Sequence, residues 1–180
     1  MKTFKLLCLL FIPILSFGQQ TPADLRAQAN QFIIDGECTD ALICFVAALS
    51  INQNDWKTYE EYGWFLAYKP CMPDYEMALK QFVKALDLNP RANVLWWIGD
   101  CYRELNDYAA AIVWYEKYLK NTEGAKDLQD RLKRGQVLPA LGLCHFYNGD
   151  TAAACEIWSL RHSDIIWLDD LAKHLYASCE

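Results

Sequence analysis

Large apolar residues recur three and four positions apart along the chain, with small residues set between them at fixed places. The pattern is clearest where Leu95, Ile98, Gly99 and Tyr102 are followed by Ala111 and Tyr115. That spacing predicts two amphipathic helices, with Asn106-Asp107 as the turn between them and the cap of the second. Gly99 and Ala111 are small enough for two antiparallel helices to approach closely, and Leu95, Ile98, Tyr102 and Tyr115 fill the space around that contact. The alternation returns at Leu25, Ala29, Phe32, Gly36, Ala41, Phe45 and Ala48, and again at Leu138, Leu141, Gly142, His145, Gly149, Ala154 and Trp158.

A further unit is plainest in its second helix, where Tyr75, Ala78, Phe82 and Ala85 lead to Asn89-Pro90. Its first helix has two readings. Counting back from Pro90 makes Tyr62 and Phe65 the large residues, whereas counting forward from the preceding unit uses Tyr59, Tyr62 and Gly63. The second count requires about three inserted residues near Lys69-Pro70-Cys71-Met72-Pro73 and is preferred, because two prolines so close together end a helix. The units then span about 22–55, 56–91, 92–125 and 135–168, with a charged, helical stretch from Lys126 to Arg134 before the last. Ile165, Leu168, Leu171, Ala172 and Leu175 lie at helical spacing and predict a C-terminal helix over about 164–178.

Leu95-x2-Ile98-Gly99-x2-Tyr102 with Ala111-x3-Tyr115 resembles the tetratricopeptide repeat pattern W-x2-L-G-x2-Y…A-x3-F…P, whose period is about 34 residues. Pro90 stands where that family puts its terminal proline. The resemblance implies an all-α fold, a short right-handed α-solenoid of about four antiparallel helix pairs, closed by the C-terminal helix as a cap. It also implies a non-enzymatic scaffold that binds a peptide or partner protein on the concave face made by the first helices. On that face the motif commits Ile98, Gly99 and Tyr102 to packing. It turns Trp96, Trp97, Asp100 and Arg103 towards the groove, with Trp64 from the second unit and Leu143, Phe146 and Tyr147 from the fourth. Trp and Tyr dominate interface energetics, so Trp96 and Trp97 are the expected anchors and Asp100 and Arg103 the orienting charges. A family variant that grips a C-terminal carboxylate needs repeated Lys and Asn on these faces, whereas only Arg26, Asn30 and Arg103 occur here. The alternative role is self-association of an envelope protein through the convex face or the C-terminal helix, giving a homo-oligomer.

The first residues change where the protein is expected to work. Lys2 and Lys5 precede the apolar run Leu6–Leu15, and Ser16 and Gly18 are small residues suited to a cleavage site, so residues 1–18 are read as a secretory signal peptide. Ser-Phe-Gly-Gln-Gln resembles the start of exported proteins of Bacteroidota-type Gram-negative bacteria. The expected address is the periplasm, with the extracellular space as the alternative. The run is shorter than the roughly 20 residues that span a bilayer, so no membrane span is expected after its removal.

Charge and composition narrow the function further. Seventeen basic against 23 acidic residues give a net charge of −6, and removing residues 1–18 takes away two lysines and no acid, leaving −8. That balance argues against a nucleic-acid partner. With 53% hydrophobic residues, the chain can bury enough apolar surface to offset its ordering entropy. Phosphate-binding glycine loops, hydrolase elbows and paired-carboxylate motifs are absent, so neither an enzyme nor a cofactor is expected. Seven cysteines follow Cys8, and in an oxidising compartment Cys144 and Cys155, equally far from the turn at Gly149-Asp150, form the candidate disulfide. Cys38, Cys44 and Cys101 suit small buried hydrophobes. Cys144, His145, Cys155, His162, His174 and Cys179 match no zinc spacing, so no metal is expected; a redox-responsive or metal-binding role is the remoter alternative.

Overall fold

The computed structural model describes residues 20–68, 73–124, 128–159, 175 and 177–179. Eight α-helices run in chain order among them: α1 (Pro22–Ile34), α2 (Cys38–Ile51), α3 (Trp56–Tyr68), α4 (Tyr75–Leu88), α5 (Ala92–Glu104), α6 (Tyr108–Asn121), α7 (Leu128–Tyr147) and α8 (Thr151–Ser159), with a short 3-10 turn at Ala177–Cys179. No strand occurs among the described residues. The architecture is an α-solenoid of helix pairs, α1 with α2, α3 with α4, α5 with α6 and α7 with α8.

Each pair is closed by a contact between a small residue and an aromatic one. A Cβ built on Gly63 would lie 2.8 Å from the Phe82 ring, one on Gly99 2.7 Å from Tyr115, and one on Gly142 2.1 Å from the Trp158 indole nitrogen. Ala29 and Phe45, both fully buried, hold the equivalent places in the first pair. The close approach is what allows the two backbones to bury a ring between them.

The turns repeat as closely as the contacts. In three of the four pairs three residues join the helices, and the middle one, Gly36, Asn106 or Gly149, has φ of 76°, 61° or 90°. In each, the N–H of the next residue donates to a carbonyl five positions back: Glu37 to Phe32 at 2.8 Å, Asp107 to Tyr102 at 2.9 Å and Asp150 to His145 at 2.9 Å. This is the Schellman closure, which satisfies helix-end carbonyls and favours Gly or Asn in the left-handed region. Asp107 and Asp150 then cap the following helices, accepting from the Ala110 N–H at 3.1 Å and the Ala153 N–H at 3.0 Å. Between α3 and α4 the connection is three residues longer, yet the Asp74 N–H still donates to Leu66, the carbonyl equivalent to Phe32, Tyr102 and His145, at 3.0 Å. Gly63 therefore keeps the register of Gly99, as the count with three inserted residues expects.

The fourth pair departs from the sequence reading. Its first helix starts at Leu128 rather than near 135, so the charged stretch, from 128 onward, is the opening of α7 and not a separate element. Pro139 lies within that helix and removes one of its internal hydrogen bonds. The expected C-terminal helix falls largely on residues outside the described ones. Leu175 and Cys179 are described and pack against Leu143, Ala154 and Trp158. The expected signal peptide lies outside the described residues. No helix among the described residues is long and apolar enough to cross a membrane.

The cysteine pairing differs from expectation. Cys155 is joined to Cys179, with Cα atoms 5.7 Å apart, and Cys144 is a buried free thiol. Equal distance from a turn does not fix helix rotation. Gly142 faces α8, and Cys144, two residues on, is turned by about 200°, into the cluster of Tyr115, Tyr118, Val137 and Leu141. Burial pushes its thiol up to about 12, and that of Cys101 likewise, so both are inert small hydrophobes at neutral pH. Cys44 is also free and buried, whereas Cys38 is disulfide-bonded.

Candidate functional site

The first helices α1, α3 and α5 lie side by side and are joined by polar bonds that cross from one pair to the next. Arg26 on α1 pairs with Asp55 and donates to the Thr58 hydroxyl at 3.1 Å, and its Nε lies 3.5 Å from Glu61. Asn30 Nδ2 donates to Glu61 at 3.4 Å. Arg91, at the start of α5, reaches back to Glu60 at 3.1 Å and lies over the Trp56 ring at 5.0 Å. Glu60 and Glu61 are thus half-buried and ion-paired, not the solvated helix face that isolated glutamates suggest.

Between these bonds lies a cleft of about 210 Å³ lined by Asn30 of α1, Glu60, Glu61 and Trp64 of α3, and Trp97 of α5. Trp64 is 38% exposed and leans on Tyr68 at 6.0 Å. Trp97 is half-buried, with its ring 5.5 Å from Phe82. Of the two adjacent tryptophans, then, Trp97 lines the cleft and Trp96 does not. Trp96 packs against Tyr118 at 6.2 Å, in the core shared with α6 and α7.

Asp100 and Arg103 are committed differently from expectation. Asp100 accepts hydrogen bonds from the Tyr68 hydroxyl at 2.7 Å and the Tyr115 hydroxyl at 2.6 Å, so it bolts α3, α5 and α6 together. Arg103 donates to the Tyr115 hydroxyl at 3.3 Å and pairs with Glu104 at 2.7 Å. Burial raises the Asp100 carboxyl above its ordinary value, against the lowering effect of the Tyr115 and Tyr68 donors and Arg103. Both side chains border a second cavity, of about 180 Å³, between α3, the start of α4 and α5.

In the fourth pair Leu143 is buried against Ala154 and Trp158 and so is core rather than groove. Phe146 is half-buried, 6.3 Å from Trp158. Tyr147 is 48% exposed and stacks on Tyr108 of the preceding pair at 5.2 Å. The candidate residues therefore split between the cleft (Trp64, Trp97), the second cavity (Asp100, Arg103), the core (Trp96, Leu143), the edge of the last buried cluster (Phe146) and the seam between the last two pairs (Tyr147). Asn30, Glu60 and Glu61 are the lining residues that the motif alone does not single out. Glu60 and Trp64 stand one helical turn apart on the same face, and that spacing was the available signal. No group of His, Cys, Asp and Glu able to hold a metal occurs among the described residues.

Residues 74–126, which hold α4, α5 and α6, match the tetratricopeptide repeat family. Among solved structures, the chain is similar to the one titled the crystal structure of MamA protein, at 16% identity and a TM-score of 0.62, with 77% of this chain and 69% of that one covered. At that identity the likeness speaks for the fold. No curated protein matches the chain.

Proposed function

We propose that the protein is a non-enzymatic interaction scaffold that holds an extended segment of a partner protein along the face of α1, α3 and α5. The observation that carries this reading is the cleft with Trp64 and Trp97 in its wall, on helices locked to each other by Arg26, Arg91 and Asp100. A preformed aromatic cleft on rigid elements spends little entropy when it binds. Export to the periplasm, or beyond it, is part of the proposal. The basic and apolar start of the chain supports it, and so does the Cys155–Cys179 disulfide, because such bonds persist in oxidising compartments. The test is capture from envelope extract of the source organism by the full chain and by a Trp64→Ala variant, chosen because its side chain is exposed enough to remove without unfolding. A partner recovered at least tenfold less by the variant is the expected result; equal recovery overturns the reading.

A second reading, self-association, has its own observation. The outward face of α2 carries Ile43, Val46, Ala47 and Ser50, with Ile43 59% and Val46 55% exposed. Helices α4 and α6 place Lys80, Lys84 and Asp87, and Glu116, Lys117 and Lys120, on the corresponding face. Only the first pair leaves this convex face uncharged among these three. Sedimentation of the full chain over a hundredfold concentration range tests this, beside an Ile43→Lys/Val46→Glu variant; association that the variant abolishes supports it.

A further inference from the structure

The lining of the α1–α3–α5 cleft narrows what it takes. Among the described residues its lining is two carboxylates, two indoles and an amide, with no cation. The cations that balance Glu60 and Glu61 are Arg91, Arg26 and Lys57, and all three approach from outside the lining. Each carboxylate has room for about four hydrogen bonds, so these pairings leave acceptor capacity on the cleft side. An anionic group here would stand beside two like charges. A purely apolar one would cover the carboxylates without replacing their water, which is costly. A cation satisfies both surfaces at once, through charge-assisted bonds to the carboxylates and attraction to the indole π-systems. At about 210 Å³ the cleft is smaller than the roughly 300 Å³ at which small-molecule sites begin, which suits a single side chain. Burial holds the Glu60 carboxyl above its ordinary value, so this group is short of the solvation that a cation would supply.

We propose that this cleft is a cation subsite, which takes one lysine or arginine side chain of the bound segment, its charge at Glu60 and Glu61 and its aliphatic stem along Trp64 and Trp97. This rests on the reading of the α1–α3–α5 face as the binding face. The experiment pans a displayed library of random nonapeptides on the immobilised full chain and counter-selects on the Trp64→Ala variant. Peptides that prefer the wild type should carry Lys or Arg at one aligned position. Replacing that residue by Gln in the synthetic peptide should weaken binding at least tenfold, a test that leaves the protein untouched. A Glu60→Gln/Glu61→Gln variant, shown to be folded by circular dichroism, should lose the preference for the charged peptide over its Gln counterpart. Peptides that depend on Trp64 but share no cationic position would overturn the cation subsite and leave the binding face standing. If no peptide distinguishes wild type from Trp64→Ala, both fall.

Discussion

Gly63, Gly99 and Gly142 do the same task with different tolerances. A methyl group at Gly142 would meet the Trp158 indole at 2.1 Å, whereas at Gly99 and Gly63 it would meet Tyr115 and Phe82 at 2.7 and 2.8 Å. Alanine gains about 1 kcal/mol in helix propensity over glycine, and overpacking costs about 1–3 kcal/mol. Gly142→Ala should therefore lose about 1–2 kcal/mol in urea unfolding, and Gly63→Ala and Gly99→Ala less; equal or greater stability in Gly142→Ala would mean that Trp158 moves aside. Asp100 gives a pH test. Its folded carboxyl lies above the ordinary 3.8, so the folded state binds its proton more tightly than the unfolded one. The stability of wild type relative to Asp100→Asn is then greatest below about pH 3.8 and falls as pH rises through the raised folded value, which unfolding series at stepped pH will read. The candidate side chains were legible only in part. The motif says which residues must pack between the two helices of a pair, but the next pair decides the rest. Trp96 and Trp97 differ by one step of about 100°, enough to put one against Tyr118 and the other in the cleft.

At the scale of elements, the same closing turn meets different caps. Asp107 and Asp150 bond the N–H groups of their helices, whereas Glu37, at the head of α2, makes no side-chain cap bond. Asp107→Ala should cost about 1 kcal/mol, and Glu37→Asp should add up to about 1 kcal/mol, since the shorter acid suits the N-cap and the longer one does not. Chemical denaturation of the two variants checks both, and a neutral Glu37→Asp would show that the turn geometry rather than the side chain limits α2. The helix pairing was readable from sequence for the reason that makes these turns alike: the small residue, the closing turn and the acid at the N-cap follow one another in the same order in each pair, and each acts locally. The fourth pair was harder. Among the charged residues before 135 only Leu128 and Leu132 are large and apolar, too few to fix a register from sequence, and from Leu128 onward they are the opening of α7.

For the whole molecule, a solenoid has no single core, and its stability is a sum over neighbouring units. Four buried clusters follow one another from Ala29 to Trp158, and among the described residues the last holds Leu143, Ala154 and Trp158, backed by Phe146, Leu175 and Cys179. An end unit of a solenoid has a neighbour on one side only. The Cys155–Cys179 bond closes a separation of 24 residues, which by loop entropy is about 3–4 kcal/mol. The bond thus supplies at the C-terminal end what neighbours supply elsewhere. Cys179→Ser should speed hydrogen exchange in α8 and the second half of α7 by a hundredfold or more, with α1 to α4 unchanged, because a solenoid passes stability only between neighbouring units. Uniform acceleration from α1 to α8 would instead mean that the chain unfolds as one cooperative body, and that the repeat-by-repeat account of its stability is wrong.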